Sequence, residues 1–121
     1  METDLIKMVE SVAKAQTERF PNGNDPYKIA CRLLEEAGET VWELNHFERN
    51  GVSVQVKSNE NKENFVLEMY QVFLTLVQML QYFGLEPEFR KCIETVFNEY
   101  VNKGYLADEN LKVLPVDKEY K

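Results

Sequence analysis

Basic residues are scarce in this chain. There are 14 Lys and Arg against 21 Asp and Glu, and the formal net charge is -7. Nonspecific contact with nucleic acid or with a membrane surface draws on clustered Lys and Arg, so neither is expected as a partner. A phosphate-bearing ligand is still compatible with this balance, because a bound dication inverts the local charge. Histidine occurs once, at His46, and cysteine twice, at Cys31 and Cys92. A zinc site needs clustered nitrogen and sulfur ligands, which these three residues do not provide. Each cysteine sits beside apolar residues in a helical pattern, which predicts buried free thiols rather than a disulfide. There is no Gly-rich phosphate loop, so any phosphate recognition must run through a metal and side chains. The N-terminus lacks the basic and apolar regions of a signal peptide, and a cytoplasmic location is expected. Internal repeats and low-complexity stretches are also missing.

The 121 residues, 44% of them hydrophobic, suit one folded domain with a single modest core. Apolar spacing predicts a first helix over residues 3–19, with Leu5, Met8, Val9, Val12 and Ala13 or Ala15 on its apolar side. Pro21-Asn22-Gly23-Asn24 breaks it. Asp25 is a good N-cap, and Pro26 suits the first helical position. A second helix follows over 26–48, with Ile29, Ala30, Leu33, Leu34, Ala37, Val41, Leu44 and Phe47 apolar, until Asn50-Gly51. Val52, Val54 and Val56 alternate within a polar connection that reads as a loop rather than an edge strand. A third helix spans 62–83 and stops at Gly84. Pro87 opens a fourth that ends near Lys103-Gly104. The expected fold is all-α with four helices, a domain over 1–104 and an extended C-terminal arm over 105–121.

The third helix is nearly apolar all round. From Phe65 to Phe83 its one charged residue is Glu68. Glu68, Gln71, Thr75 and Gln78 form a single narrow polar stripe. Such a helix is expected to be buried on most sides. Its polar side chains interrupt the run too often for a membrane span. Four small helices cannot cover it alone, so burial against another subunit is expected, as a dimer or tetramer.

The second helix carries the most informative cluster, Glu35-Glu36-Ala37-Gly38-Glu39. At about 100° per residue its three glutamates share one face, where like charges repel. Either this face is simply solvated or it holds a hard cation. Glu68 and Gln71 repeat the Glu36/Glu39 spacing of three on the next helix. Facing each other on antiparallel helices, the two pairs would form an oxygen cage of the kind Mg²⁺ takes.

At these residues the chain resembles the MazG-like, all-α nucleoside triphosphate pyrophosphohydrolases. Their signature is Glu-Glu-x-x-Glu, a connection, then Glu-x-x-Asp. Glu35-Glu36-Ala37-Gly38-Glu39 matches the first half. Glu68-Met69-Tyr70-Gln71 matches the second, except that Gln71 stands in place of the Asp. The resemblance spans about residues 26–104. It implies a four-helix MazG-like bundle that cleaves a nucleotide between the α and β phosphates with Mg²⁺, giving monophosphate and pyrophosphate. It also implies Glu36, Glu39 and Glu68 as metal ligands, Gln71 in the fourth ligand position, and Glu35 placed to orient water. Asn98 and Lys103 would be counterparts of the family's phosphate-contacting residues. Gln71 removes one charge from that set. The alternative is therefore a catalytically weakened helical oligomer that binds nucleotides or a partner protein.

Two other features carry less. Glu43-Leu44-Asn45-His46 has the Glu-x-x-His spacing of di-iron bundles, but such a site needs two such pairs and there is one histidine. Trp42 borders the acidic face. It reads first as an interface or core residue, and second as a platform for a nucleobase.

Overall fold

The structure is a computed structural model that describes residues 4–48 and 58–116. It is mostly helical, as expected. The helices are α1 (Leu5–Arg19), α2 (Pro26–Glu48), α3 (Ser58–Phe83) and α4 (Glu86–Asn102). The expected helix end at Asn50-Gly51 and the Val52, Val54, Val56 alternation lie outside the described residues, as does the side chain of His46. The helices divide between two compact units, Met1–Gly84 and Leu85–Lys121. Among the described residues no helix is long and apolar enough to cross a membrane.

In the first unit, aspartate side chains cap the starts of α1 and α2. Asp4 accepts from the Lys7 amide at 3.2 Å, and Asp25 accepts from the Tyr27 and Lys28 amides at 2.9 and 3.2 Å. The α1–α2 link is a single 3₁₀ turn, Pro21–Gly23. At its far end α3 stops at Gly84, whose φ of +67° favours glycine. Helix α3 begins at Ser58, about one turn earlier than the apolar pattern predicts. The pattern there is polar, so periodicity could not register that turn.

Helix α3 packs on α1 and, more extensively, on α2. Ala13, Leu74 and Val77 form the centre of the core, with Val9, Tyr70 and Phe73 against it. Ala13 is fully buried against Leu74 and Val77 of α3. Ile29 is 1% exposed. Much of the expected apolar surface faces outward instead. Leu5, Met8 and Val12 on α1, Leu34, Val41 and Leu44 on α2, and Val66, Leu67, Met69 and Leu76 on α3 are all exposed. The reason is geometric: within this unit α3 has two helical neighbours, which cover one side of it. That covered side includes the polar stripe, since Thr75 and Gln78 are buried beside Leu74 and Val77.

In the second unit, α4 ends at Lys103 and Gly104, the latter at φ +80°. The chain beyond is not simply extended. Leu106–Ala107 (β1) pairs antiparallel with Lys112–Val113 (β2), in the register Leu106↔Val113 and Ala107↔Lys112. Asn110 and Leu111, at φ 63° and 52°, make the reversal. Asparagine tolerates that conformation and leucine rarely adopts it, which is why residue type alone did not reveal the turn. Tyr105 returns to α4 through its amide, which donates to the Tyr100 carbonyl at 3.0 Å.

The cysteines correct one expectation. Both are free, as expected, but Cys31 and Cys92 are exposed rather than buried. Cys31 lies two residues from buried Ile29, about 200° around the helix, and so points away from α3.

Truncating the core should be costly and truncating the surface should not. Ile29→Ala is expected to lose about 2–4 kcal/mol, whereas the exposed Tyr27→Ala should stay within about 0.5 kcal/mol. Urea denaturation of both variants checks this, and equal losses would mean that the α2 burial pattern is wrong.

Candidate metal centre

Three glutamates converge where α2 crosses α3. Glu36 and Glu39 reach it from successive turns of α2, and Glu68 reaches it from α3. One carboxylate oxygen from each lies within 4.8 Å of the others. Glu36 and Glu68 are half-buried and Glu39 is exposed. Thr40 does not relieve the crowding, because its hydroxyl donates backwards to the Glu36 carbonyl oxygen at 2.8 Å. Glu36 Oε2 is buried and has no hydrogen-bond partner among the described residues. A buried acceptor left unmade is costly, and more so when it is charged.

Without a cation the cluster answers its own repulsion with a proton. The Glu68 carboxyl is pushed up from 4.5 to about 7, first by its hydrogen bond with Glu39, then by burial, then by the charges of Glu39, Glu36 and Glu43. The Glu36 carboxyl is raised as well, by burial first and then by the charges of Glu39 and Glu35. Such a site favours whatever replaces the proton with more positive charge. Its donors are all carboxylate oxygens, the preference of hard dications such as Mg²⁺ rather than of zinc or copper. The orphaned Oε2 and the shared proton both fit such an ion.

The other candidate residues are placed as follows. Glu35 is exposed on α2 and close enough to Glu36 for its charge to act there. Gln71 is half-buried on α3, one turn beyond Glu68. Its carbonyl oxygen accepts from the Thr75 hydroxyl at 2.7 Å, and its side-chain amide has no partner among the described residues. Asn98 and Lys103 belong to the second unit and are exposed there, with the Lys103 ammonium 5.5 Å from the centre of the Tyr100 ring.

A cleft of about 510 Å³ opens beside the carboxylates, lined by Glu39, Trp42, Glu43, Asn64, Leu67 and Glu68. Asn64 and Leu67 were not singled out in the sequence, and Glu43 only as part of a different motif. The signal was available. Glu43 lies four residues after Glu39 and Asn64 four before Glu68, so each extends its stripe by one turn. Trp42 takes its place on the cleft wall, not in the core.

No protein-family model matches this chain, and no curated protein or solved structure shows significant similarity to it.

The raised carboxyls set a pH dependence. Between the ordinary value of 4.5 and about 7, the folded protein holds a proton on Glu68 that the unfolded chain has released. Stability conferred by that proton is complete below the lower value and is lost as pH rises through the upper one. Metal-free protein should therefore melt at a lower temperature at about pH 8 than at about pH 5.5. Glu68→Gln should flatten this slope, as read by calorimetry in a chelating buffer. A slope identical in the variant would show that Glu68 is not the group responsible.

Proposed function

We propose that the protein is a Mg²⁺-dependent nucleotide pyrophosphohydrolase of the MazG-like kind. It would cleave a nucleoside triphosphate between the α and β phosphates to give nucleoside monophosphate and pyrophosphate. The observation that carries this reading is the convergence of Glu36, Glu39 and Glu68 across two helices, with one buried oxygen left unpartnered. A solvated acidic face has no reason to bury a carboxylate oxygen.

In this reading Glu36, Glu39 and Glu68 hold the metal, and Gln71 supplies a neutral amide oxygen from the next turn of α3. When bound, Mg²⁺ neutralises charge on the phosphate oxygens and makes water more acidic. Glu35 lies in solvent beside this set, where it orients the attacking water and takes its proton. The water oxygen bonds to phosphorus as the α–β bridging bond breaks, and pyrophosphate leaves with that bridging electron pair. The cleft wall at Trp42 offers an aromatic face to a base.

Gln71 favours a second reading. An amide where the resemblance calls for a carboxylate gives a dication one charge fewer and sets the oxygen one methylene further out. A weakened nucleotide-binding oligomer, or one that binds a partner protein, retains the fold without fast turnover. The exposed apolar rows of α1, α2 and α3 support self-association under either reading, since soluble monomers rarely leave such surfaces uncovered.

Three outcomes test these proposals. Mg²⁺ should raise the melting temperature of the wild type, and Glu39→Gln should blunt that rise. Melting that ignores Mg²⁺ in both proteins would leave the glutamates as an ordinary acidic face. A pyrophosphate-release assay should show slow hydrolysis of common nucleoside triphosphates by the wild type, and Gln71→Asp should bind Mg²⁺ more tightly and turn over faster. Tighter metal with no turnover would favour the binding module, and fast wild-type turnover that falls in Gln71→Asp would mean Gln71 suits its own substrate. Light scattering at micromolar concentration should give the mass of two or more chains; a stable monomer would refute the self-association.

A further inference from the structure

One turn before Glu36 on α2, Arg32 points away from the carboxylates and into the α1–α2 turn. Its Nη1 donates to the Gly23 carbonyl at 3.0 Å and its Nη2 to Gln78 Oε1 at 3.1 Å. Gln78, 6% exposed, passes the interaction on, with Nε2 donating to Gln16 Oε1 at 2.9 Å. Lys28, one turn earlier, donates to the Asn22 carbonyl at 2.9 Å. Neither cation forms an ion pair with a carboxylate among the described residues, in a chain whose net charge is -7. Against these two cations the turn sets one carboxylate, that of Asp25, which is occupied in capping α2.

The direction of this relay is forced. A guanidinium can only donate, so Gln78 must face it with Oε1. The Gln78 Nε2 then points to Gln16, which must answer with its own Oε1, and the Gln16 Nε2 is left over. The remaining N–H groups of Arg32 are donors too. The relay's free N–H groups, on Arg32 and Gln16, are donors, while each of its amide oxygens already accepts one hydrogen bond. These residues border a cavity of about 280 Å³, lined by Gln16, Thr17, Phe20, Asn24, Arg32 and Gln78 among others.

A small cavity with a guanidinium and free N–H donors on its lining suits an acceptor. We propose that it binds a small oxyanion, a carboxylate or phosphoryl group, gripped by the planar fork of Arg32 and by the Gln16 amide. Buried Gln78 fixes the orientation of both and acts as a positioning residue. The site stands apart from the carboxylate cluster and does not depend on the metal reading.

Titration calorimetry in a chelating buffer, with inorganic phosphate and separately with acetate, tests this without Mg²⁺. Saturable binding of one anion per chain is expected, weakened about tenfold or more by Arg32→Gln. Gln16 is exposed, so Gln16→Glu should fold normally. It puts a carboxylate where the site offers a donor, and binding should be lost. Glu39→Gln, which disables the carboxylate cluster, should bind the anion as well as the wild type or better. Phosphate binding without acetate would name a phosphoryl compound as the source, and acetate without phosphate a carboxylic acid; either supports the site. It is overturned if the wild type binds neither anion saturably, or if Gln16→Glu binds as tightly as the wild type. Because no metal is present, failure here leaves the pyrophosphohydrolase reading untouched, and a failed Mg²⁺ titration leaves this site untouched.

Discussion

Between α2 and α3 the chain buries polar groups along a contact that most helix pairs would fill with leucine. Arg32 meets Gln78 at one end, and Glu36 and Glu39 meet Glu68 at the other. Lower numbers on α2 thus pair with higher numbers on α3, so the two helices run antiparallel. Polar partners of this kind work only when matched, and so they specify register more sharply than apolar packing does. A shift of one residue would separate Gln78 from Arg32 and break up the carboxylate cluster at the same time. The two ends are resolved differently. At the Arg32 end the charge is held by a backbone carbonyl and an amide oxygen, with N–H groups to spare. The glutamate end is left short of positive charge, and chemistry can enter there.

That inward polar stripe determines what α3 does with its remaining surface. If Gln78, Thr75 and Glu68 face inward, several of its apolar residues must face out. Leu76 is 44% exposed on the helix that supplies the core residues Leu74 and Val77. An inverted helix is a poor design for an isolated three-helix layer.

The local signals in the sequence translated well. Asp25 and Pro26 marked the start of α2, and Gly84 and Gly104 marked two helix ends, because caps depend on the residues next to them. The Glu36, Glu39 and Glu68 grouping was legible because a spacing of three projects directly onto a helix face. What failed depended on which face meets which neighbour. Cys31 sits among apolar residues in sequence yet points outward, and Leu5, Met8 and Val12 form a stripe whose burial stops at Val9 and Ala13. The Arg32–Gln78–Gln16 relay was invisible because its members lie 46 and 62 positions apart. The reversal at Asn110 and Leu111 was hidden because leucine is a poor marker of a turn.

The hydrogen bond between Glu39 and Glu68 makes a proton part of the folded structure near neutrality. A formal count of charges therefore overstates how negative the native surface is. Below about pH 7 the carboxylate cluster therefore carries a proton. A dication entering at such a pH would trade places with a hydrogen ion and acidify its surroundings. The heat of such binding would include the ionisation of whichever buffer accepts that proton. Affinity at this crossing would then be an exchange constant, set as much by the acidity of the medium as by the ion.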